Sequence, residues 1–192
     1  MIEDARLNLE ATTHLRLNVG SGDTRLQFFT ALDCNPECHP DIIAHVPPLP
    51  FQDGSLHEIW ACHFLEHLER EQAVEFLQEC HRCLVPKGRL GLVVPDTRVI
   101  MERWIAGDNT MMPMGPDGAW WPLADLDVIC HLFLYASVRE TEDYHKWSYD
   151  QTTLARAMTQ AGFENLREIN RYRDLRLASP VWFQCGVDGF KA

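Results

Sequence analysis

Short apolar runs alternate along this chain with turn residues and with longer stretches of helical period. Leu15–Val19 is an apolar run that stops at Gly20-Ser21-Gly22 and predicts a first strand. Phe28–Leu32, ending at Asp33, predicts a second, and Asp41–Val46, followed by Pro47-Pro48-Leu49-Pro50, a third. Gln52-Asp53-Gly54-Ser55 reads as a turn before a fourth strand at Leu56–Cys62. The spacing Ala73, Leu77, Cys80, Leu84 predicts a helix from about Glu69 to Leu84, broken by Pro86-Lys87-Gly88. Arg89–Val94 is a fifth strand, and Thr97–Ala106 is again helical. Residues 107–124, rich in Gly, Pro, Met and Trp, read as a long loop, and Leu126–Val138 as a helix. Tyr149–Ala161 is a helix stopped by Gly162, and Phe163–Arg171 and Val181–Phe190 close the chain as strands. Residues 2–12 suit a short helix or arm. Strands alternating with helices imply a mostly parallel sheet, whose ligands bind outside the carboxyl ends of the strands.

The length of 192 residues suits one domain over 1–192, and 46% hydrophobic residues suffice for a packed core. Residues 1–30 show no secretory signal pattern, and no apolar run approaches the ~20 residues of a membrane span, so a cytoplasmic protein without membrane partners is expected. With 17 basic and 28 acidic residues the net charge is −11, which repels phosphate backbones and argues against nucleic acid as a partner. The seven cysteines are read as reduced thiols. Cys80-His81-Arg82-Cys83 is a CxxC, but its helical spacing points Cys80 into the core, and no second pair completes a zinc site. Cys34, Cys38 and His39 likewise lack an evident fourth ligand.

The chemistry concentrates at the predicted strand ends. A glycine pair directly after a strand, Gly20 and Gly22, turns the backbone tightly and lets a ligand lie against it. Asp33, 11 residues after Gly22 at the next strand end, is placed to accept hydrogen bonds from both hydroxyls of a ribose. A dinucleotide fingerprint would need a third glycine where Arg25 stands, so NAD is disfavoured.

Pro48-Leu49-Pro50-Phe51-Gln52-Asp53-Gly54-Ser55-Leu56, Phe64-Leu65-Glu66-His67-Leu68 and Leu84-Val85-Pro86-Lys87-Gly88-Arg89-Leu90 follow in that order. With the GxG and the acidic strand end, this closely resembles the class I S-adenosylmethionine-dependent methyltransferases. Tyr144-His145-Lys146-Trp147-Ser148-Tyr149-Asp150, Leu154 and Ala161-Gly162-Phe163 resemble a compact subgroup often found beside polysaccharide-biosynthesis genes. The resemblance runs from about Leu15 to Phe163. It implies a Rossmann-like α/β fold, with a mostly parallel seven-stranded sheet whose last strand is antiparallel and helices on both faces. It also implies S-adenosyl-L-methionine as cofactor, lying on Gly20, Ser21 and Gly22 with its ribose on Asp33. Asn18 and Cys34, then His45 and Val46 after the third strand, and Cys62 and His63 after the fourth complete the implied cofactor contacts. Asn18 stands where many relatives are acidic, His45 where an Asp often meets the adenine, and Lys87 in place of a glycine. The short link from Gly22 to Asp33 leaves room for one helical turn at most.

Methyl transfer depends mainly on positioning and desolvation, though a hydroxyl acceptor also wants a base. Candidate catalytic residues are Asp96 at the fifth strand's end, His145 in the loop expected above it, and His63; His131 is a further histidine of this kind. Asp96 has the alternative role of capping the helix at Thr97. His63-Phe64-Leu65-Glu66-His67 matches the HxxEH of inverted zinc peptidases, but it directly follows a strand rather than lying within a helix. No metal is therefore expected. A divalent ion on Glu66 and His67 is a weaker alternative to their capping the helix or lining the pocket. Trp104, Trp120, Trp121 and Trp147 serve an acceptor lid, loop packing or a homodimer contact, alternatives the sequence leaves open. The function expected is methyl transfer to a small-molecule acceptor, with a sugar or glycan hydroxyl suggested by the subgroup. A non-catalytic S-adenosylmethionine-binding protein is the alternative.

Overall fold

The computed structural model describes residues 15–113, 120–123, 144–169 and 183–192. In chain order the strands are β1 (Arg16–Val19), β2 (Thr30–Asp33), β3 (Ile42–Ile43), β4 (Leu56–Cys62), β5 (Leu84–Pro95), β6 (Met111–Pro113), β7 (Trp120–Pro122), β8 (Phe163–Glu168) and β9 (Gln184–Lys191). The helices are α1 (Arg70–Cys83), α2 (Thr97–Ile105) and α3 (Gln151–Gln160). Seven strands form one sheet in the order β3-β2-β1-β4-β5-β9-β8. The ladders from β3 across to β5 are parallel, and β9 runs antiparallel to both of its neighbours. This is the Rossmann-like methyltransferase architecture. The chain leaves β1 for β2 on one side and returns to β4 on the other, so the crevice between β1 and β4 is the switch point where ligands of such sheets bind.

Both sheet faces are buried, which follows from strict alternation in the central strands. Ile59 and Ala61 of β4, with Leu90, Leu92 and Val94 of β5, pack against Phe76, Leu77 and Cys80 of α1 and Leu154 and Met158 of α3. Trp60, Cys62 and Val93 turn to the other face, where Ile169 joins them. Gly91 has no side chain because the Trp60 ring lies over it: a Cβ there would fall 2.6 Å from the ring. Helix α1 buries Ala73, Phe76, Leu77, Cys80 and Cys83, a three-and-four spacing, and starts from a capping box between Glu69 and Gln72. Fully burying Phe76 alone contributes about 2–3 kcal/mol. Arg89 of β5 ties the sheet's middle together, with Nη1 2.9 Å from Glu58 of β4 and Nη2 2.6 Å from Asp188 of β9.

Several boundaries depart from the sequence reading, each for a local reason. Strand β2 begins at Thr30 rather than Phe28, whose φ of 68° and exposed ring keep it out of the ladder. Strand β3 shrinks to two residues because the Asp41 carboxylate, not a strand carbonyl, takes the Ala31 N–H. Strand β5 begins at Leu84, five residues early, and pairs there with Leu56 across an irregularity in the β4 ladder. Part of the stretch read as a loop is an antiparallel hairpin, β6 with β7. No helix links Gly22 to β2. The expected elements at 2–12 and 126–138 lie outside the described residues. Among the described residues no helix is long and apolar enough to cross a membrane.

Candidate functional site

The carboxyl ends of β1 and β2 form one half of the site. Gly20 and Gly22 have φ of 61° and 48°, a left-handed turn that glycine adopts without strain. A Cβ on Gly20 would lie 2.5 Å from Cδ2 of Phe64, so glycine is also what lets that ring seat against the loop. The Gly22 N–H donates to Asp33 Oδ2 at 2.7 Å, and the Asn35 N–H to Asp33 Oδ1 at 2.9 Å. A carboxylate has about four acceptor positions, so each oxygen keeps one for a ribose hydroxyl. Arg25, where a dinucleotide site would have glycine, donates to Gly22 O at 3.0 Å, to His39 O at 2.6 Å and to Cys38 O. It thereby pins the glycine loop to the turn Pro36–Cys38. Burial and the Asp23 carboxylate push the Cys38 thiol up. Cys34 and His45 are exposed, while Val46 packs half-buried against the core. Ser21 and Asn18 are buried, Asn18 between Ala31 and Trp60 in register. Its Nδ2 donates to no described group. An orphaned buried donor at the root of the glycine loop fits a site that expects an acceptor from outside the chain.

The ends of β4 and β5 build the other half. His63 follows β4 at φ 53°, with Nε2 2.9 Å from Gln184 Oε1 and Nδ1 3.1 Å from Glu66 Oε1. Buried Gln184 Nε2 has no hydrogen-bond partner among the described residues. Turning that amide lets it donate to His63 Nε2 while the Nδ1–H donates to Glu66. Glu66 lies in the 3₁₀ turn Leu65–His67 and is only 1% exposed. Burial would push its carboxyl up, but the hydrogen bond from His63 and the imidazoles of His63, His67 and His145 outweigh burial and hold it below the ordinary range. The Glu66 carbonyl receives the N–H groups of Lys146 and Trp147 at 2.7 and 3.1 Å. That pair docks the 144–149 segment onto the turn and sets the His145 ring edge-on to His67, centroids 5.0 Å apart. One donor atom each from Glu66, His67 and His145 lie within 4.8 Å of one another. Burial, helped by the Glu66 charge, pushes the Tyr149 hydroxyl well up.

Asp96 ends β5 and caps α2, its Oδ1 accepting the Val99 N–H at 3.1 Å. Burial and the Asp150 charge raise its carboxyl above the ordinary range. A parallel bridge joins Asp96 to Tyr149, and the Thr97 N–H donates to Tyr149 O at 2.9 Å.

Of the expected catalytic residues, His63 and His145 thus converge on Glu66, whereas Asp96 meets the same segment through its backbone and spends one carboxylate oxygen as a cap. Glu66 does not cap α1; Glu69 does. Gln184 carried no signal in the sequence, and Tyr149 was legible only as a helix start. His131 lies outside the described residues.

Residues 17–92 match the methyltransferase-domain family. No curated protein sequence matches the chain. Among solved structures, a chain of the Haloferax volcanii complex between the Trm112 methyltransferase activator and a putative methyltransferase is similar at 13% identity and TM-score 0.57, covering 97% of this chain and 85% of that one. An S-adenosylmethionine-dependent methyltransferase from Mesorhizobium loti is similar at 14% identity and TM-score 0.54, over 92% and 90% of the two chains. A phosphoethanolamine N-methyltransferase from Haemonchus contortus, solved with phosphomonomethylethanolamine and S-adenosylhomocysteine, is similar at 9% identity and TM-score 0.54, over 95% of this chain and 50% of that one. At these identities the likeness is one of fold.

Proposed function

We propose that the protein is an S-adenosylmethionine-dependent methyltransferase acting on a small-molecule hydroxyl, of the kind a sugar or glycan offers. The observation that carries this reading is the Gly20–Gly22 loop docked by its own N–H on the Asp33 carboxylate, at the switch point of a sheet with the methyltransferase strand order. Asp33 holds the ribose, the glycine loop and Asn18 the methionine part, and Cys34, His45 and Val46 flank the adenine. When bound, S-adenosylmethionine supplies a methyl group already activated on a sulfonium.

The remaining work is placement and proton removal. Cys62 and His63 border the point that the acceptor oxygen must approach in line with the departing sulfur. His63 Nε2 takes the hydroxyl proton once the acceptor displaces the Gln184 amide from it, while Nδ1–H stays on Glu66, a positioning residue. His145 anchors the acceptor from the docked segment. Asp96 shapes the floor beside it through Tyr149. An open surface groove of about 400 Å³, lined by Met101, Ile105, Tyr149 and Asp150, runs along α2.

Titration calorimetry with S-adenosylhomocysteine and NAD tests the cofactor: saturable binding of the first and none of the second is expected. Saturable NAD binding without S-adenosylhomocysteine binding would overturn the reading. Binding without methyl consumption across hydroxylated acceptors would instead mark a non-catalytic binding protein.

A further inference from the structure

We infer that Glu66, His67 and His145 form a divalent-cation site at the acceptor end of the sheet, with coordination positions left open for paired oxygens of the methyl acceptor. The site itself stands on the chain's own geometry, while the acceptor's place in it rests on the function proposed above.

Two imidazoles and one carboxylate are a donor set that suits Mn²⁺, Fe²⁺ and Zn²⁺. Their donor atoms already lie within 4.8 Å of one another. Metal–ligand distances of about 2.0–2.2 Å place neighbouring donors roughly 3–3.5 Å apart, so small side-chain rotations close the set. The carboxylate is the strongest indication. Glu66 is 1% exposed, and its Oε2 accepts no hydrogen bond from any described group. A carboxylate buried this deeply needs compensating positive charge, which protonated imidazoles at His67 and His145 or a cation shared with them would supply. The opposite oxygen is steadied by His63 Nδ1 at 3.1 Å, the outer contact that a ligating carboxylate ordinarily has.

The HxxEH spacing suggested the wrong partners. His63 and His67 do not share a helical face: His63 turns to Gln184, and the third donor arrives from the distant 144–149 segment. What delivers it is backbone. With Lys146 and Trp147 both bonded to the Glu66 carbonyl, the residue just before them is held against the residue just after Glu66. Since these bonds need no metal, the fold does not depend on the cation. Three protein ligands leave positions open, the pattern of sites that bind substrate rather than of closed structural ones. An acceptor with two adjacent oxygens, a vicinal diol or a hydroxy acid, is the chemical class that fills them.

Mn²⁺ is the probe of choice, because the thiols of Cys34 and Cys38 favour softer ions. Titrating the full chain with Mn²⁺ and following the free-ion electron paramagnetic resonance signal is expected to show one ion bound per chain, displaced by Zn²⁺. Glu66→Gln and His145→Ala, their folding checked by circular dichroism, are each expected to weaken Mn²⁺ binding by about tenfold or more. A wild-type chain that leaves the Mn²⁺ signal free overturns the inference, and so do folded variants that bind Mn²⁺ as the wild type does. S-adenosylhomocysteine titrated in parallel separates the two readings. Its binding without Mn²⁺ sinks the cation site and leaves the methyltransferase standing, whereas Mn²⁺ binding without it does the reverse.

Discussion

At the ends of β1 and β2, contacts close over short stretches of chain: Gly22 reaches Asp33 across 11 residues, and Arg25 reaches Cys38 and His39 across 13 and 14. At the ends of β4 and β5 the contacts join Glu66 to Lys146, His67 to His145, and His63 to Gln184, the last pair 121 residues apart. The first half closes mainly through contacts near in sequence, with the Phe64 ring on Gly20 as its link to the rest. The second exists only once the whole sheet has assembled. Such a division suits a protein whose cofactor is shared with many others and whose acceptor is its own. It predicts that the two halves respond separately to mutation.

The largest effect is expected at Gly20. Alanine there must adopt φ of 61° and push aside the Phe64 ring from 2.5 Å. Strain and overpacking together should cost about 3 kcal/mol of stability. Denaturant unfolding measures this, and a loss below about 1 kcal/mol would show that the loop yields more easily than its packing indicates. Phe64 is the contact through which this damage would spread towards the second half.

Asp33→Ala follows. Removing charge-assisted bonds to two ribose hydroxyls should weaken S-adenosylhomocysteine binding by about 2–3 kcal/mol. The fold should survive, since Asp33 lies at a strand end outside the buried core. Calorimetry reads the affinity, and an unchanged dissociation constant would remove Asp33 from the ribose site. Less is expected from Lys87→Gly, which lies outside both halves and gauges an ordinary turn. Lys87 is exposed at φ 65°, so glycine relieves a left-handed strain, offset by its greater freedom when unfolded. A net gain of about 0.5 kcal/mol is expected, and thermal unfolding that shows a loss would mean the lysine side chain is itself stabilising.

Legibility in the sequence followed the same division. Strand β4 and helix α1 were readable because Leu56–Cys62 is buried at every position but His57 and Ala73, Phe76, Leu77 and Cys80 keep one period throughout. The glycine loop and Asp33 were readable because their spacing is local. The β3 boundary was not: Asp41 diverts the hydrogen bond that a longer strand would have used, and apolar pattern carries no record of that. Nor was the β6–β7 pairing inside a Gly- and Pro-rich stretch, where turn composition masked two short strands. Glu66 and His67 were visible as a pair, but no spacing announces that His145 joins them. Contacts of that range are set by sheet order and by two backbone bonds to one carbonyl.

The smallest effect, and the sharpest test of the division, is that of His145→Ala on the cofactor. The His145 ring meets His67 and the Glu66 carboxylate, whereas the described contacts of Gly22, Asp33 and Arg25 stay within the first half. The docked segment should stay in place, because Lys146 and Trp147 hold it through main-chain N–H groups that the substitution leaves intact. The affinity for S-adenosylhomocysteine should therefore stay within roughly twofold, about 0.4 kcal/mol, while Mn²⁺ binding weakens by about tenfold or more. Should cofactor affinity fall alongside Mn²⁺, the two halves are coupled. The route would then run through the strand ends of β1 and β4, where Phe64 stands between Gly20 and the Leu65–His67 turn. A Phe64→Leu chain would reveal that coupling, since it loosens the ring while leaving every donor atom of both halves in place.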